Sequence, residues 1–271
     1  MITVGIDIGS MSADAVIMEF AEGIGRGKIM SYAIIPTGWD SAETSKKCMD
    51  LALKKANIKF SDIEYIVSTG YGRVIVPFSN KNITEISCHA KGANWNFPSV
   101  RTILDMGGQD CKVITCDEAG KVTSFLMNDK CAAGAGRSME IMAKLVDVPL
   151  KSIGEHSFQI VDKQAMISST CVLFARSEVM ELLREGVHKN DILAGACDAL
   201  TSRVLTLLSR TEVQKDFAIS GGIAKNIGIT KRVEERLGLQ AKIADEPQII
   251  GAIGAAVFAK DTILKQREGG Q

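Results

Sequence analysis

The pattern of hydrophobic and polar positions predicts strands first and helices afterwards. Strands are indicated by short runs rich in β-branched residues between glycine turns, and helices by apolar residues spaced three and four apart. Over the first hundred residues the order is three strands, a helix, a strand and a helix. These elements are expected at Ile2–Ile8, Ala13–Phe20, Lys28–Ile35, Ala42–Ala56, Tyr65–Thr69 and Ser87–Trp95.

A similar order of strands and helices begins again near residue 101, which predicts a second lobe related to the first. Neither a linker nor a low-complexity stretch separates the halves. We therefore expect an α/β protein with lobe I at residues 1–100 plus 248–271 and lobe II at residues 101–247. The later strands are predicted at Arg101–Asp105, Lys112–Asp117, Val122–Met127, Phe217–Ser220 and Gln240–Ile243, and the helices at Ala132–Val146, Cys171–Glu185, Asp191–Val213, Lys225–Leu237 and Gln248–Lys265.

The composition and net charge argue against nucleic-acid and membrane partners. Of the 271 residues, 46 % are hydrophobic and 24 % are charged, and the net charge is zero. Without a basic field we expect no nucleic-acid partner, and the apolar run Ile249–Ala259 is short for a bilayer, so we expect no membrane partner. The strand pattern at the start predicts no cleavable leader. Seven cysteines without disulfide-scaffold spacing indicate a reducing, cytoplasmic location.

Two glycine turns follow strands that each deliver an aspartate. They are Asp7-Ile8-Gly9-Ser10 and Asp105-Met106-Gly107-Gly108-Gln109-Asp110. Backbone N–H groups at such turns suit phosphate oxygens, and a strand-end carboxylate suits Mg²⁺ held through water. A third strand ends in Ser220-Gly221-Gly222-Ile223-Ala224-Lys225-Asn226, where backbone can lie against a base and ribose. Three such turns in order predict a nucleotide site.

Two cysteines precede apolar patterns of helical spacing. Cys131 is followed by a run of alanines and glycines, and Cys171 follows Ser168-Ser169-Thr170. The partial positive charge of a helix N-terminus favours thiolate, the form that ligates metal. Two cysteines supply only half of a four-thiolate cluster site, and a twofold dimer would supply the rest. Cys48 and Cys197 lie among helical apolar positions and are predicted to be core residues.

The three turns resemble the phosphate-1, phosphate-2 and adenosine motifs of the actin, Hsp70 and sugar-kinase ATPase superfamily. Four segments resemble one branch of it, the ATP-dependent activators of 2-hydroxyacyl-CoA dehydratases. This branch includes the ATPase subunits of benzoyl-CoA reductase and the reductases of double-cubane-cluster proteins. The similar segments are Asp105–Asp110, Asn128–Arg137, Ile167–Val179 and Ser220–Asn226, and the similarity extends over essentially the whole chain.

The resemblance implies an actin-like (ribonuclease H-like) ATPase fold with duplicated βββαβα lobes. It implies a homodimer that shares one [4Fe–4S] cluster through Cys131 and Cys171 of each subunit. It also implies ATP-driven transfer of single electrons from a low-potential donor, ferredoxin or flavodoxin, to an acceptor iron–sulfur enzyme. That acceptor would be a 2-hydroxyacyl-CoA dehydratase or a double-cubane-cluster protein.

Roles for individual residues follow from the turns and the resemblance. We expect Gln109 to position the attacking water, and Asp7 and Asp105 to hold Mg²⁺. The residues expected to contact ATP or ADP are Gly9, Ser10, Met11, Ser12, Gly107 and Gly108 at the phosphates, and Gly221, Gly222, Lys225 and Asn226 at the nucleoside. We expect the second turn to reach the Cys131 helix through the hairpin region Lys112–Met127.

Two alternatives use the same turns. A small-molecule kinase of this superfamily would need a substrate pocket with a catalytic base and no cluster cysteines. A nucleotide-dependent interaction switch would keep the nucleotide site without redox work. Two residues depart from the activator pattern: Asp14 stands where a lysine often follows the first phosphate turn, and Arg176 replaces an acidic residue. These departures leave the choice of partner open.

Overall fold

The structure is a computed structural model that describes residues 1–21, 25–128, 136–168 and 172–269. The chain forms two compact units. The first comprises Met1–Ile103, Ile114–Ser124 and Ala244–Gln271, and the second comprises Leu104–Val113 and Phe125–Ile243. The lobe boundaries given above stay a prediction.

Strands and helices are mixed along the chain, which confirms the predicted α/β class. The strands are β1 (Ile2–Ile8), β2 (Ser12–Glu19), β3 (Lys28–Pro36), β4 (Tyr65–Thr69), β5 (Lys81–Asn82), β6 (Thr102–Met106), β7 (Cys111–Cys116), β8 (Val122–Met127) and β9 (Phe217–Ser220). The helices are α1 (Ser41–Ala56), α2 (Glu85–Asn96), α3 (Gly136–Leu145), α4 (Ile153–His156), α5 (Val172–Arg184), α6 (Lys189–Leu208), α7 (Ile227–Leu237) and α8 (Ile250–Gly269).

A five-stranded sheet in the order β3-β2-β1-β4-β5 forms the centre of the first unit. Strands β1, β2 and β3 are antiparallel neighbours, whereas β4 pairs parallel with β1 and β5 parallel with β4. Side chains alternate between the two faces of a strand. Val4, Ile6 and Ile8 of β1 therefore pack with Cys48 and Met49 of α1 in one core.

The opposite face of β1 lies against α8. The Thr3 hydroxyl donates a hydrogen bond of 2.9 Å to the Ala256 carbonyl, and alternation places Asp7 on this same face. The segment Pro247–Glu268 has the length and hydropathy to cross a membrane, but 67 % of its most apolar window is buried inside the protein. Because core helices meet the same criteria, we describe α8 as a core helix of the first unit.

A second, four-stranded sheet has the order β8-β7-β6-β9. The core of the second unit combines residues of β6, β7 and β9 with buried faces of the helices α3, α5, α6 and α7, among them Leu104, Met142, Val179, Leu193 and Val233. Each such side chain contributes roughly 1.5–3 kcal/mol when it is fully buried.

Some predicted elements have other bounds in the structure; the helix predicted at Asp191–Val213, for example, ends at Leu208. The predicted strand Gln240–Ile243 is reduced to one parallel bridge between Ala218 and Lys242, and the neighbouring Ala241 N–H donates to the Glu234 carboxylate at 2.9 Å instead of to a strand. The predicted helix Lys225–Leu237 begins at Ile227, because the Asn226 side chain caps it by accepting the N–H of Gly228.

Candidate functional site

The two aspartate–glycine turns are closed in the same way. In the first, the Gly9 N–H donates to the Ser12 carbonyl at 2.9 Å, and in the second the Gly107 N–H donates to the Asp110 carbonyl at 3.0 Å. Each turn follows a strand whose last residue but one is a buried aspartate, Asp7 in β1 and Asp105 in β6. The predicted repetition of this device is therefore present in the backbone.

The Asp7 carboxylate lies between an imidazole and a helix backbone. His89 of α2 has its Nε2 atom 3.8 Å from Asp7 Oδ2. A Cβ atom added to Gly251 of α8 would overlap Asp7 Oδ2 and lie 2.9 Å from His89 Nε2. Directly across the strand pair from Asp7 is the buried Asp14 of β2. The first turn therefore ends on two facing carboxylates.

Four hydrogen bonds fix the first turn. The Thr37 hydroxyl donates to the Gly9 carbonyl at 2.8 Å, and the Thr37 N–H donates to the Met11 carbonyl at 3.0 Å. Gln248 donates to the Ser12 hydroxyl at 2.8 Å, and that hydroxyl donates to Asp14 Oδ2 at 3.1 Å. The turn is thus fixed from the segments before α1 and before α8.

The second turn has a lysine between its carboxylates. The Lys112 ammonium lies 2.7 Å from Asp110 Oδ1 and 3.7 Å from Asp105 Oδ2. The other Asp105 oxygen, Oδ1, accepts a hydrogen bond of 2.9 Å from the Ser220 hydroxyl. All four side chains are buried. Asp105 therefore contacts partners within the protein through both of its carboxylate oxygens.

Helix α3 is hydrogen-bonded directly to the second turn. The N–H groups of Gly136 and Arg137 donate to the carbonyls of Gly107 and Gly108 at 2.9 and 2.8 Å. In a trans peptide the C=O and N–H groups point in opposite directions, so the N–H groups of Gly108 and Gln109 face away from α3. The expected route through Lys112–Met127 is therefore not the shortest one, because two backbone hydrogen bonds join turn and helix.

The third turn packs against the end of β6, just before the second turn. Gly221 has φ +85°, and a Cβ atom there would overlap the Met106 carbonyl oxygen and lie 2.9 Å from Asp105 Oδ1. Glycine at this position therefore permits both the left-handed backbone and the close approach. Gly222 and Lys225 are exposed, whereas the Asn226 side chain is engaged as the cap of α7.

Cys131 and Cys171 lie outside the described residues, so their role as ligands stays a prediction. The described chain leading to Cys171 is held by two carboxylates. Glu178 of α5 accepts the Ser168 N–H at 2.6 Å, and Asp191 of α6 accepts N–H groups from the segment at Val161 and Asp162. These backbone hydrogen bonds lower the pKa of the Asp191 carboxyl.

Five other cysteines are free and buried, which confirms the prediction for Cys48 and Cys197. Burial raises the pKa of the Cys48 thiol to about 12 and that of Cys197 to about 11. Among the described residues, no three His, Cys, Asp or Glu side chains are grouped so as to hold a metal ion.

A groove of about 580 Å³ lies along the C-terminal half of α3, apart from the glycine turns. It belongs to the second unit and is lined by Glu140, Ala143, Lys144, Asp147, Val148, Pro149 and Leu150. None of these residues has a predicted role, so the groove adds nothing to the site formed by the turns.

The sequence matches the BadF/BadG/BcrA/BcrD ATPase family over residues 4–259. The chain belongs to this family. It is 41 % identical over 266 residues to the activator of lactoyl-CoA dehydratase of Anaerotignum propionicum, with 98 % of this chain and 100 % of the relative covered. It is 38 % identical over 258 residues to the (R)-2-hydroxyglutaryl-CoA dehydratase activating ATPase of Acidaminococcus fermentans, covering 95 % and 96 %.

One solved structure extends the comparison to the fold. The activator of the 2-hydroxyisocaproyl-CoA dehydratase from Clostridium difficile, with bound ADPNP, superimposes with a TM-score of 0.92 at 37 % identity. The match covers 99 % of this chain and 98 % of that one. The resemblance and the actin-like ATPase fold stated from the motifs are confirmed.

In this BadF/BadG/BcrA/BcrD ATPase, the second unit brings together more predicted site residues than the motifs alone indicate. Gly221 and Asp105 meet at one place, through the close approach of Gly221 and the Ser220 hydrogen bond. The motifs did not identify Lys112 or His89 as site residues. A lysine inside an otherwise apolar strand, seven residues after the aspartate, was the available signal for Lys112.

Proposed function

We propose that this ATPase is an ATP-hydrolysing activator that delivers single low-potential electrons from a [4Fe–4S] cluster to a partner iron–sulfur enzyme. The partner would be a 2-hydroxyacyl-CoA dehydratase or a double-cubane-cluster protein. The observation that carries the proposal is the pair of hydrogen bonds from Gly136 and Arg137 to the phosphate turn. They join the predicted ATP site to the helix that follows Cys131.

The second turn suits the phosphates of a nucleotide. The N–H groups of Gly108 and Gln109 face away from α3 and are available as donors to phosphate oxygens. The N-terminus of α3 points at this turn and adds partial positive charge. Mg²⁺, which we expect Asp7 and Asp105 to hold, would offset the charge of the phosphates, and Asp105 would meet it through water.

Two observations support Cys131 and Cys171 as the cluster ligands: the burial of the other cysteines and the number of thiolates that a cluster needs. Five of the seven cysteines are buried, free thiols, which leaves Cys131 and Cys171. A [4Fe–4S] cluster is held by four thiolates, so two copies of the chain are required. When bound, the cluster would supply a one-electron carrier whose potential depends on the protein around it.

A homodimer is also supported by apolar surface near the two cysteine segments. Met166, Leu173 and Phe174 are 93 %, 67 % and 65 % exposed, and Phe125 and Met127 on the edge strand β8 are exposed as well. Exposed apolar groups of this size mark contact surfaces in many proteins. A second copy of the chain would cover these side chains in the proposed dimer.

The rigidity of the peptide units would couple a nucleotide at the second turn to the position of α3. If a phosphate oxygen pulls on the N–H of Gly108, the same peptide plane carries the Gly107 carbonyl and hence the Gly136 N–H. ATP and ADP, which differ in the contacts available at this turn, would therefore favour different positions of α3. Such coupling amounts to about 1–3 kcal/mol in typical proteins.

The remaining parts of the proposal concern partners and place. The electron donor would be ferredoxin or flavodoxin, and the protein would work in the cytoplasm without nucleic-acid or membrane partners. The relatives named above activate dehydratases, which supports an enzyme as the acceptor.

The deciding experiment measures iron in protein purified without oxygen. We expect about four irons per dimer, loss of iron in Cys131→Ala and Cys171→Ala, and parental iron in the control Cys48→Ala. Iron-free parental protein would favour the kinase or the interaction switch. Full iron content in either ligand variant would remove that cysteine from the site.

The coupling is tested separately by the cluster's midpoint potential with ADP and with a non-hydrolysable ATP analogue. We expect the two potentials to differ, and chelator access to iron to change with them. Gln109→Ala should retain ATP binding by calorimetry and hydrolyse ATP more slowly, because a contact with attacking water forms only towards the transition state. Equal potentials with equal chelator access would contradict ATP-driven electron transfer.

A further inference from the structure

Lys112 is a cation enclosed within the second unit beside the phosphate turn. Lys112 is 3 % exposed, and Asp105 and Asp110 are 2 % and 5 % exposed. Removing an ammonium from water is costly unless it is paired. The 2.7 Å contact with Asp110 and the 3.7 Å contact with Asp105 provide that pairing.

The two carboxylates stand at the two ends of the turn. Asp105 lies in β6 before the turn, and Asp110 closes it through the hydrogen bond from the Gly107 N–H. Lys112 contacts both from β7. A single side chain thus bridges the chain entering the turn and the chain leaving it.

We propose that Lys112 is a positioning residue for nucleotide hydrolysis. By holding Asp105 and Asp110 together, its ammonium fixes the turn so that the N–H groups of Gly108 and Gln109 face the phosphates. This inference rests on the proposed assignment of the turn to ATP. It adds a residue that neither the motifs nor the comparisons assign.

The same contacts limit how Asp105 could bind Mg²⁺. One of its oxygens faces Lys112 and the other accepts from Ser220. Mg²⁺, which keeps several waters when it binds to proteins, would therefore meet Asp105 through water. Lys112 and Ser220 hold the carboxylate in place for that outer contact.

A double-mutant cycle separates positioning from simple neutralisation of charge. The proteins are the parental chain, Lys112→Met, Asp110→Asn and the double variant, with Lys121→Met as the control. Lys121 is exposed at the other end of the β7–β8 hairpin. Removing one partner of a buried pair destabilises strongly, whereas removing both is far milder.

We expect Lys112→Met to lower the unfolding midpoint and the double variant to recover part of that loss, because the charge of Asp110 is then removed while that of Asp105 remains. The kcat of ATP hydrolysis should fall at least tenfold in both. Asp110→Asn should remain within a few-fold of the parental kcat, because the amide oxygen that replaces Asp110 Oδ1 can still accept from the Lys112 ammonium and keep the bridge to Asp105, and Lys121→Met should match the parent. If Lys112→Met does not fold, the comparison of the double variant with Asp110→Asn decides.

A double variant as active as Asp110→Asn would overturn the inference, because Lys112 would then only neutralise Asp110. Parental protein that neither binds nor hydrolyses ATP would instead overturn the proposed function. The two failures are distinguishable, because the first requires an active parent.

Discussion

The two aspartate–glycine turns have the same backbone hydrogen bond and differ in charge. Each has a strand-end aspartate and a hydrogen bond from its first glycine to the carbonyl three positions later. In each, the strand after the turn lies next to the strand before it in the sheet. Seven residues after the aspartate, however, the first turn has Asp14 and the second has Lys112. Asp14 faces Asp7 across the strand pair, whereas Lys112 lies 3.7 Å from Asp105.

In the second turn a lysine places positive charge beside the strand-end aspartate. In the first turn a second carboxylate faces that aspartate instead. The second turn has the Lys112 ammonium against two carboxylates, whereas the basic side chain beside Asp7 is the imidazole of His89. Two facing carboxylates repel each other, and both favour a cation placed near them. We therefore expect Asp7 to depend on a bound cation such as Mg²⁺ more than Asp105 does, because Asp105 already has the Lys112 ammonium beside it.

The largest expected effect is that of Gly221→Ala behind the second turn. A non-glycine residue at positive φ costs about 1–2 kcal/mol, and overlap with the fixed Met106 carbonyl adds about 1–3 kcal/mol. We expect a loss of several kcal/mol in the free energy of unfolding, measured with denaturant. Gly186→Ala is the control, because Gly186 has φ +81° with open space around it and tests the backbone alone. Equal losses in the two variants would show that the close packing behind Asp105 is unimportant.

The matching change behind the first turn, Gly251→Ala, should affect activity more than folding. The new Cβ atom meets the ends of two side chains, Asp7 and His89, which can move, rather than backbone. We expect a stability loss of about 1–3 kcal/mol and a fall in ATP hydrolysis of about 10²-fold, because Asp7 is displaced. Parental hydrolysis in this variant would exclude Asp7 from the proposed Mg²⁺ site.

Asp14→Asn should have a smaller effect, opposite in sign to that of Lys112→Met. It removes one of two carboxylates that face each other, and an amide oxygen can still accept from the Ser12 hydroxyl. We expect a gain of about 0.5 kcal/mol in unfolding free energy, with the exposed Asp50→Asn as the control. A loss of stability would show that the two turns do not differ in charge balance as inferred.

The sequence predicts what is local in these turns. Asp-Ile-Gly and Asp-Met-Gly after apolar strands predicted two equivalent turns, and the hydrogen bonds of Gly9 and Gly107 bear this out. Strand alternation and helical spacing also located β1 to β4 and α1 to within a few residues, because those patterns are set by neighbours along the chain.

Contacts between distant residues could not be predicted in the same way. The hydrogen bonds from Gly136 and Arg137 to the second turn join residues nearly thirty positions apart and leave no periodic trace. The predicted strand Gln240–Ile243 is a single bridge to Ala218 in the structure, because strand pairing depends on tertiary packing, which overrides local strand propensity.

The smallest expected difference between the two turns is in the reactivity of the thiols beside them, Cys88 and Cys111. Burial raises the pKa of Cys88 to about 12, with the Asp7 carboxylate adding to the effect. Burial likewise raises the pKa of Cys111, and Asp105 and Asp110 add to it. At pH 8 a thiol with a pKa near 12 is thiolate in a fraction on the order of 10⁻⁴, against roughly a quarter for a free cysteine.

We therefore expect neither Cys88 nor Cys111 to react with a thiol reagent at pH 8 in folded, iron-free protein kept without oxygen. The thiols that react rapidly should be Cys131 and Cys171, and each should disappear from the count when changed to serine. Denaturant serves as the control, because all seven cysteines of the chain should then react. Rapid reaction of Cys88 alone would mean that the first turn opens in solution while the second, held by Lys112, stays closed. Such a result would make the difference between the turns one of rigidity as well as charge.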